Sequence, residues 1–232
     1  MTKRFLLVSV LAAFVAGGAF AQVGLGAGYI NSGRNMGAMT GEDRYADKTY
    51  DFRDASHGGF LFLDVTYAEL SFGLMRGEFA APGVSTRKSD NSKYGVLAGS
   101  LGDVLSVDIG LLGRYPIRVA KITVSPLLGV GYNLVLSAKY RVGDGIRWGK
   151  DYLADEAGDY STMRIMLGAG ADFDVTDRIF VRAECTAHYR FAPKAIAKVA
   201  ERLSDETTGA KYSKSKNGGI GGTYAFAIGY RF

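Results

Sequence analysis

Residues 222–232 read GTYAFAIGYRF. Tyr224, Phe226, Ile228, Tyr230 and Phe232 recur at every second position, with Ala225, Ala227, Gly229 and Arg231 between them. A period of two marks a β-strand, whose successive side chains point to opposite faces. This strand is greasy on one face and nearly empty on the other.

The same two-sided pattern recurs along the chain. In 22–30, Val23, Leu25, Ala27 and Tyr29 alternate with Gly24, Gly26 and Gly28. Leu105, Val107, Ile109, Leu111, Tyr115 and Ile117 oppose Ser106, Asp108, Gly110, Leu112 and Arg114. Met163, Ile165, Leu167, Ala169, Ala171 and Phe173 oppose Arg164, Gly168, Gly170, Asp172 and Asp174. Ile179, Val181, Ala183, Cys185, Ala187, Tyr189 and Phe191 oppose Arg182, Glu184, Thr186, His188 and Arg190. In 122–137, Val124, Leu128, Val130, Tyr132, Leu134 and Leu136 oppose Thr123, Ser125, Gly129, Gly131, Asn133 and Ser137. Leu127 and Val135 fall with the second set, and Pro126 with the first, where a bulge is expected because proline cannot donate to the ladder. Strands near 58–64 and 67–79 bring the total to eight. In the first of these, either Phe60 and Phe62 or Leu61 and Leu63 must point inward.

Connections alternate in length. Short ones fall near Val65-Thr66, Val119-Ala120 and Thr176-Asp177; long ones cover 33–56, 80–102, 141–160 and 192–217. An even strand number with short turns at one end and long loops at the other is the layout of a transmembrane barrel. A soluble sandwich or lipocalin-like barrel is the alternative, with its apolar face inward. Against it, the charged face is also rich in glycine and other small residues, which suits the crowded interior of an eight-stranded barrel. The apolar face is nearly free of charge, and an Arg or Lys facing lipid at mid-depth costs about 2–4 kcal/mol. Tyr115, Phe173, Tyr230 and Phe232 gather at the short-turn end, and Tyr29, Tyr140, Tyr189 and Tyr224 at the loop end, as two interfacial belts do. The reading is all-β: an eight-stranded antiparallel up-and-down transmembrane β-barrel with four long external loops.

Composition agrees. Of 232 residues, 32 are glycine and 4 proline. Residues 1–21 carry Lys3 and Arg4, an apolar run from Phe5 to Val15, and Ala19-Phe20-Ala21, and read as a secretory signal peptide cut after Ala21. The barrel is then 22–232. Net charge is +5, two units of it in the leader, a surplus too weak to suggest nucleic acid. The lone Cys185 excludes an internal disulfide framework and is read as a small filler facing lipid.

The tail Tyr224, Phe226, Ile228, Tyr230, Phe232 resembles the assembly signal of bacterial outer-membrane barrels, with its terminal Phe. Together with the leader and eight strands, residues 22–232 resemble the small eight-stranded families typified by OmpX, the OmpA barrel and OmpW. The resemblance implies residence in the outer-membrane lipid and reading of Phe232 by the barrel-assembly machinery.

Candidate functional residues lie on the inner face: Asp64, Glu69, Asp108, Arg114, Arg164, Asp172, Arg182, Glu184, His188 and Arg190. Ionised groups away from bulk water need partners, so these are read as a salt-bridge network closing the lumen. A narrow porin-like channel for small solutes is the alternative. Asp54, Ser56 and His57 have the residue types of a nucleophile and base, but strand neighbours point opposite ways. An outer-leaflet lipid-modifying enzyme therefore ranks third, and no catalytic, cofactor or metal site is predicted. The acids Asp151, Asp155, Glu156 and Asp159 lack ordered ligand spacing, and Trp148 is read as a rim or partner contact. Residues 193–203 place Ile196, Val199, Ala200 and Leu203 on one stripe, predicting a short amphipathic helix begun at Pro193. The leading function is a structural or surface-interaction role, adhesin-like, with an extracellular or host ligand at the loops.

Overall fold

The computed structural model describes residues 23–142, 145–147, 157–204 and 210–232; the leader reading of 1–21 lies outside them. The described strands are β1 (Val23–Glu42), β2 (Ala46–Val65), β3 (Ala68–Arg87), β4 (Lys93–Arg114), β5 (Ile117–Val119), β6 (Ile122–Val142), β7 (Gly145–Arg147), β8 (Thr162–Asp174), β9 (Ile179–Phe191), β10 (Lys211–Lys216) and β11 (Gly218–Arg231). Helix α1 (Lys194–Leu203) and a 3-10 turn (Ala157–Tyr160) complete them. Eight strands close a ring in the order β1-β2-β3-β4-β6-β8-β9-β11, every neighbouring pair antiparallel. Closure is direct, since Leu25 of β1 lies opposite Leu63 of β2 on one side and Tyr230 of β11 on the other.

The apolar face is outside. Leu61, Leu74, Leu128, Leu167, Phe226 and Ile228 are each more than half exposed, while Arg164, Arg182, Glu69, Asp108 and Asp172 on the opposite face are buried. Water rewards the reverse arrangement. A continuous exposed belt of Leu, Ile, Val and Phe around a charged interior is stable only in lipid. Tyr115, Phe173, Tyr230 and Phe232 fringe the belt at the short-turn end, and Tyr29, Tyr189 and Tyr224 toward the other; the side chain of Tyr140 lies outside those described.

Phe60 and Phe62 take the inward positions and Leu61 and Leu63 the outward ones. Two glycines make this possible. A Cβ on Gly26 would stand 2.3 Å from the Phe62 ring, and one on Gly229 would stand 2.2 Å from the ring of Phe180. The empty face of the terminal strand is thus the floor on which inward rings lie. The proline expectation fails, because β6 and β8 stay in register through the Pro126–Ala169 pair. Pro126 instead faces the break at Tyr115-Pro116 between β4 and β5, where Tyr115 N–H donates to the Pro126 carbonyl at 3.3 Å. The irregularity lies at the other end of β6, where Ser106 pairs with Val135 but Leu105 with Ser137. That shift leaves Ser137 outside and brings Ala138 in, against the expectation for Ser137.

The loop boundaries also need correction. Residues 33–56 and 80–102 are mostly strand, with the chain turning only at Asp43–Tyr45 and around 88–92. Strands β1, β2 and β3 run 20 residues each, β4 runs 22 and β6 runs 21, against 13 or 14 for β8, β9 and β11. A tilted crossing needs only about 9–11 residues, so one wall of the barrel continues well beyond the membrane.

Candidate functional site

Outside the lipid belt the inside-outside rule of the wall inverts, and this shapes the lumen. Met39, Tyr50, Phe52, Phe79, Val135 and Ala138 point inward at the loop end and pack with Tyr160, Ala195, Ile196 and Ala200. The expected amphipathic helix is the lid of this cluster. Ile196 and Ala200 are buried, Lys198 and Glu201 are exposed, and Pro193 precedes the first turn. The side chains of Val199 and Leu203 lie outside those described. Lys198 closes an ion pair with Asp159 beside the lid. Asp151, Asp155, Glu156 and Trp148 lie outside the described residues.

Below the plug, the inner-face residues sort into two clusters. The first lies toward the short-turn end and is built on Arg182. Its Nε donates to Asp172 Oδ1 at 2.7 Å, its Nη1 to Glu69 Oε2 at 2.7 Å and Asp64 Oδ1 at 3.1 Å, and its Nη2 to Asp172 Oδ2 at 2.9 Å and to Asp64 Oδ2. Arg114 shares the same acids, donating to Asp64 at 2.9 Å, Glu69 at 3.2 Å and Asp172 at 3.4 Å. Glu184 lies 3.7 Å from Arg182 Nε. Arg231 and Asp174, on the same face but not among the ten candidates, join through an ion pair, and Arg231 also donates to Asp172 at 3.3 Å. The guanidinium of Arg182 sits 4.3 Å from the Phe62 ring centre and 5.0 Å from that of Phe180, with Arg231 4.3 Å from Phe180. The inward rings therefore carry arginines on their faces, an attraction of about 0.5–2 kcal/mol each.

The second cluster lies nearer the plug and is cationic. Arg34 donates through Nε to Asp54 Oδ2 at 2.6 Å, and Arg164 through Nη2 to Asp108 Oδ2 at 2.7 Å. Arg190 is fully buried, and its nearest carboxylate oxygen, Asp54 Oδ2, is 3.5 Å away. His188 sits among these arginines, with Nδ1 3.4 Å from Thr223 Oγ1. No carboxylate pairs with it among the described residues, contrary to its reading as a salt-bridge partner. Between the clusters is a cavity of about 30 Å³ lined by Glu69 and Glu184 on one side and Arg164 on the other. A wider vestibule of about 220 Å³, lined by Asp64, Arg114, Arg118, Asp172 and Arg231, opens at the short-turn end.

All ten inner-face candidates line the lumen, but charge pairs locally. Arg34 and Asp54 were absent from the inner-face set because they lie in the stretch taken as loop. Asp54, Ser56 and His57 do not form a unit: Asp54 holds Arg34, Ser56 is buried, and His57 points outward, its ring 6.3 Å from that of Tyr29. At the loop end, the extended wall and β10, which pairs with residues 38–42 of β1, frame a groove of about 450 Å³. Lys48, Lys211, Tyr212, Glu42 and Asp47 line it.

The fold is that of a small eight-stranded outer-membrane barrel. No family model and no curated protein matches the chain. Among solved structures, the outer membrane protein OprG from Pseudomonas aeruginosa is 12% identical, covering 91% of this chain and 96% of that one at a TM-score of 0.43. Ail of Yersinia pestis, the attachment invasion locus protein, solved with the heparin analogue sucrose octasulfate, is 12% identical over 91% and 99% of the two chains at 0.31. The protease OmpT of Escherichia coli is 10% identical over 91% and 96% at 0.32. Such identities transfer no activity, and the fold assignment stands on the strand pairing itself.

Proposed function

We propose that this protein is a closed outer-membrane barrel whose role is structural and adhesive, exercised by the part that projects from the membrane. The carrying observation is the apolar plug. A conducting lumen needs a continuous polar path, and here Met39, Phe52, Phe79, Tyr160 and Ile196 fill the loop end above the ion-paired network. What remains for function is the projecting wall. Its strands are hydrogen-bonded to their tips, so it offers a pre-ordered surface that loses little entropy on contact. The groove beside Lys48, Lys211 and Tyr212 is the concave part of that surface and suits an extracellular ligand with both charge and an aromatic face.

The test trims the first two hairpins to the membrane boundary, joining residue 35 to 53 and residue 80 to 104 by short turns. The trimmed barrel should still insert and show heat-modifiable gel mobility. Attachment of expressing cells to host-type or abiotic surfaces should fall. Unaltered attachment of cells that carry the folded, trimmed barrel would contradict the adhesive role.

A further inference from the structure

Arg190 has no hydrogen-bond partner at Nε, Nη1 or Nη2 among the described residues, and its side chain is fully buried. Asp54 Oδ2, its only ion-pair partner among those residues, is already held by Arg34 at 2.6 Å. In the adjacent strand, Arg164 stands directly opposite Arg190. Like charges facing each other across strands repel. Arg164 spends one nitrogen on Asp108, while its Nη1 has no partner. His188 Nε2 is likewise without a partner. Three guanidiniums thus face two carboxylates in an interior sealed above by the plug. Burying an unpaired charge costs several kcal/mol, so an anion from outside the polypeptide would be stabilised there.

We propose that the Arg34–Arg164–Arg190 cluster binds one small monovalent anion of halide size. The class follows from charge and space. One negative charge neutralises the local excess. The spaces flanking the cluster are small: about 20 Å³ beside Arg34 and Asp54, and about 30 Å³ beside Arg164, where Glu69 and Glu184 form the far lining. Such volumes hold one or two water-sized bodies, which excludes sulfate, phosphate and organic carboxylates. Gly221, across the sheet from both Arg34 and His188, lets these two side chains close in on each other; a Cβ there would stand 2.4 Å from Arg34 Cβ and 2.6 Å from His188 Nε2. The anion belongs to the folded state alone, because the unfolded chain does not assemble the three arginines.

Bromide is the probe. Crystals of the full barrel grown with sodium bromide should show an anomalous peak beside the Arg190 guanidinium. In detergent, replacing gluconate by chloride at constant ionic strength should raise the unfolding midpoint. Each tenfold rise in chloride above its dissociation constant should add about 1.4 kcal/mol. Arg190→Met should abolish the chloride dependence while retaining the barrel. Where that variant fails to refold, Arg190→Lys should weaken the dependence, and the bromide map of the unaltered protein decides by itself. Bromide at surface positions only, or equal midpoints in chloride and gluconate, overturns the proposal and leaves ordered water as the partner of Arg190.

Discussion

Arg182 donates five hydrogen bonds to three carboxylates from β2, β3 and β8, and so ties distant parts of the ring together. Replacing it by methionine strands Asp64, Glu69 and Asp172 without their main cation. Breaking a buried pair in this way costs about 3–5 kcal/mol, read as a lower urea midpoint of the refolded barrel. Arg182→Lys should recover only part, because an ammonium cannot reproduce the planar fork. An unchanged midpoint in both variants means the network is decoration. Gly229 gives a second test at this scale. A methyl there strikes Phe180, so Gly229→Ala should cost about 1–3 kcal/mol, and Phe180→Leu should restore most of it in a double-mutant cycle. Additive losses would show that the ring and the glycine are not fitted to each other. The inward direction of Arg182 was legible from alternation alone. Its partners were not, since alternation fixes a face and says nothing of neighbours around the ring.

The elements show where sequence reading stopped. Within lipid, apolar residues point out, and the period of two was easy to follow from Met163 to Phe173 or from Tyr224 to Phe232. Above it, Met39, Tyr50, Phe52 and Phe79 point in, and polar residues such as Thr49 and Arg53 point out. A pattern sought with one sign vanishes where the solvent changes, and the shift between Asn35 and Gly37 blurs it further. Helix α1 was visible because its stripe has the period of a helix whatever it packs against. At the first hairpin tip, Asp43 accepts hydrogen bonds from the Tyr45 and Ala46 amides at 2.8 and 2.7 Å and pairs with Lys48 at 2.7 Å. Lys48 first, then these amides, hold the Asp43 carboxyl below its usual range. A depressed acid stabilises above its unfolded pKa and stops doing so as pH falls through the folded one. Protection of the Tyr45 and Ala46 amides, corrected for intrinsic exchange, should therefore fall from about pH 5 to about pH 3. In Asp43→Ala it should be low at both. Equal protection in the two proteins would remove Asp43 from any role in holding the tip.

At the scale of the molecule, the proposed function reads the lipid belt, the paired lumen and the plug as a barrel that crosses the membrane without opening it. Removing Phe232 or making it charged should reduce the amount of folded barrel in the outer membrane, seen as lost heat-modifiable mobility, if the terminal strand guides assembly. Tags at 43–45 or 88–92 should be reached on intact cells and tags at Thr66 or Thr176 should not; equal labelling contradicts the orientation. The closed lumen is the central claim, and planar-bilayer recording of the purified, unaltered protein tests it most directly. Little or irregular conductance is expected, rising when Ile196→Asp loosens the lid of the plug. Steady single-channel conductance in the unaltered protein, with ion selectivity reversed by Arg182→Glu, would contradict the closed barrel.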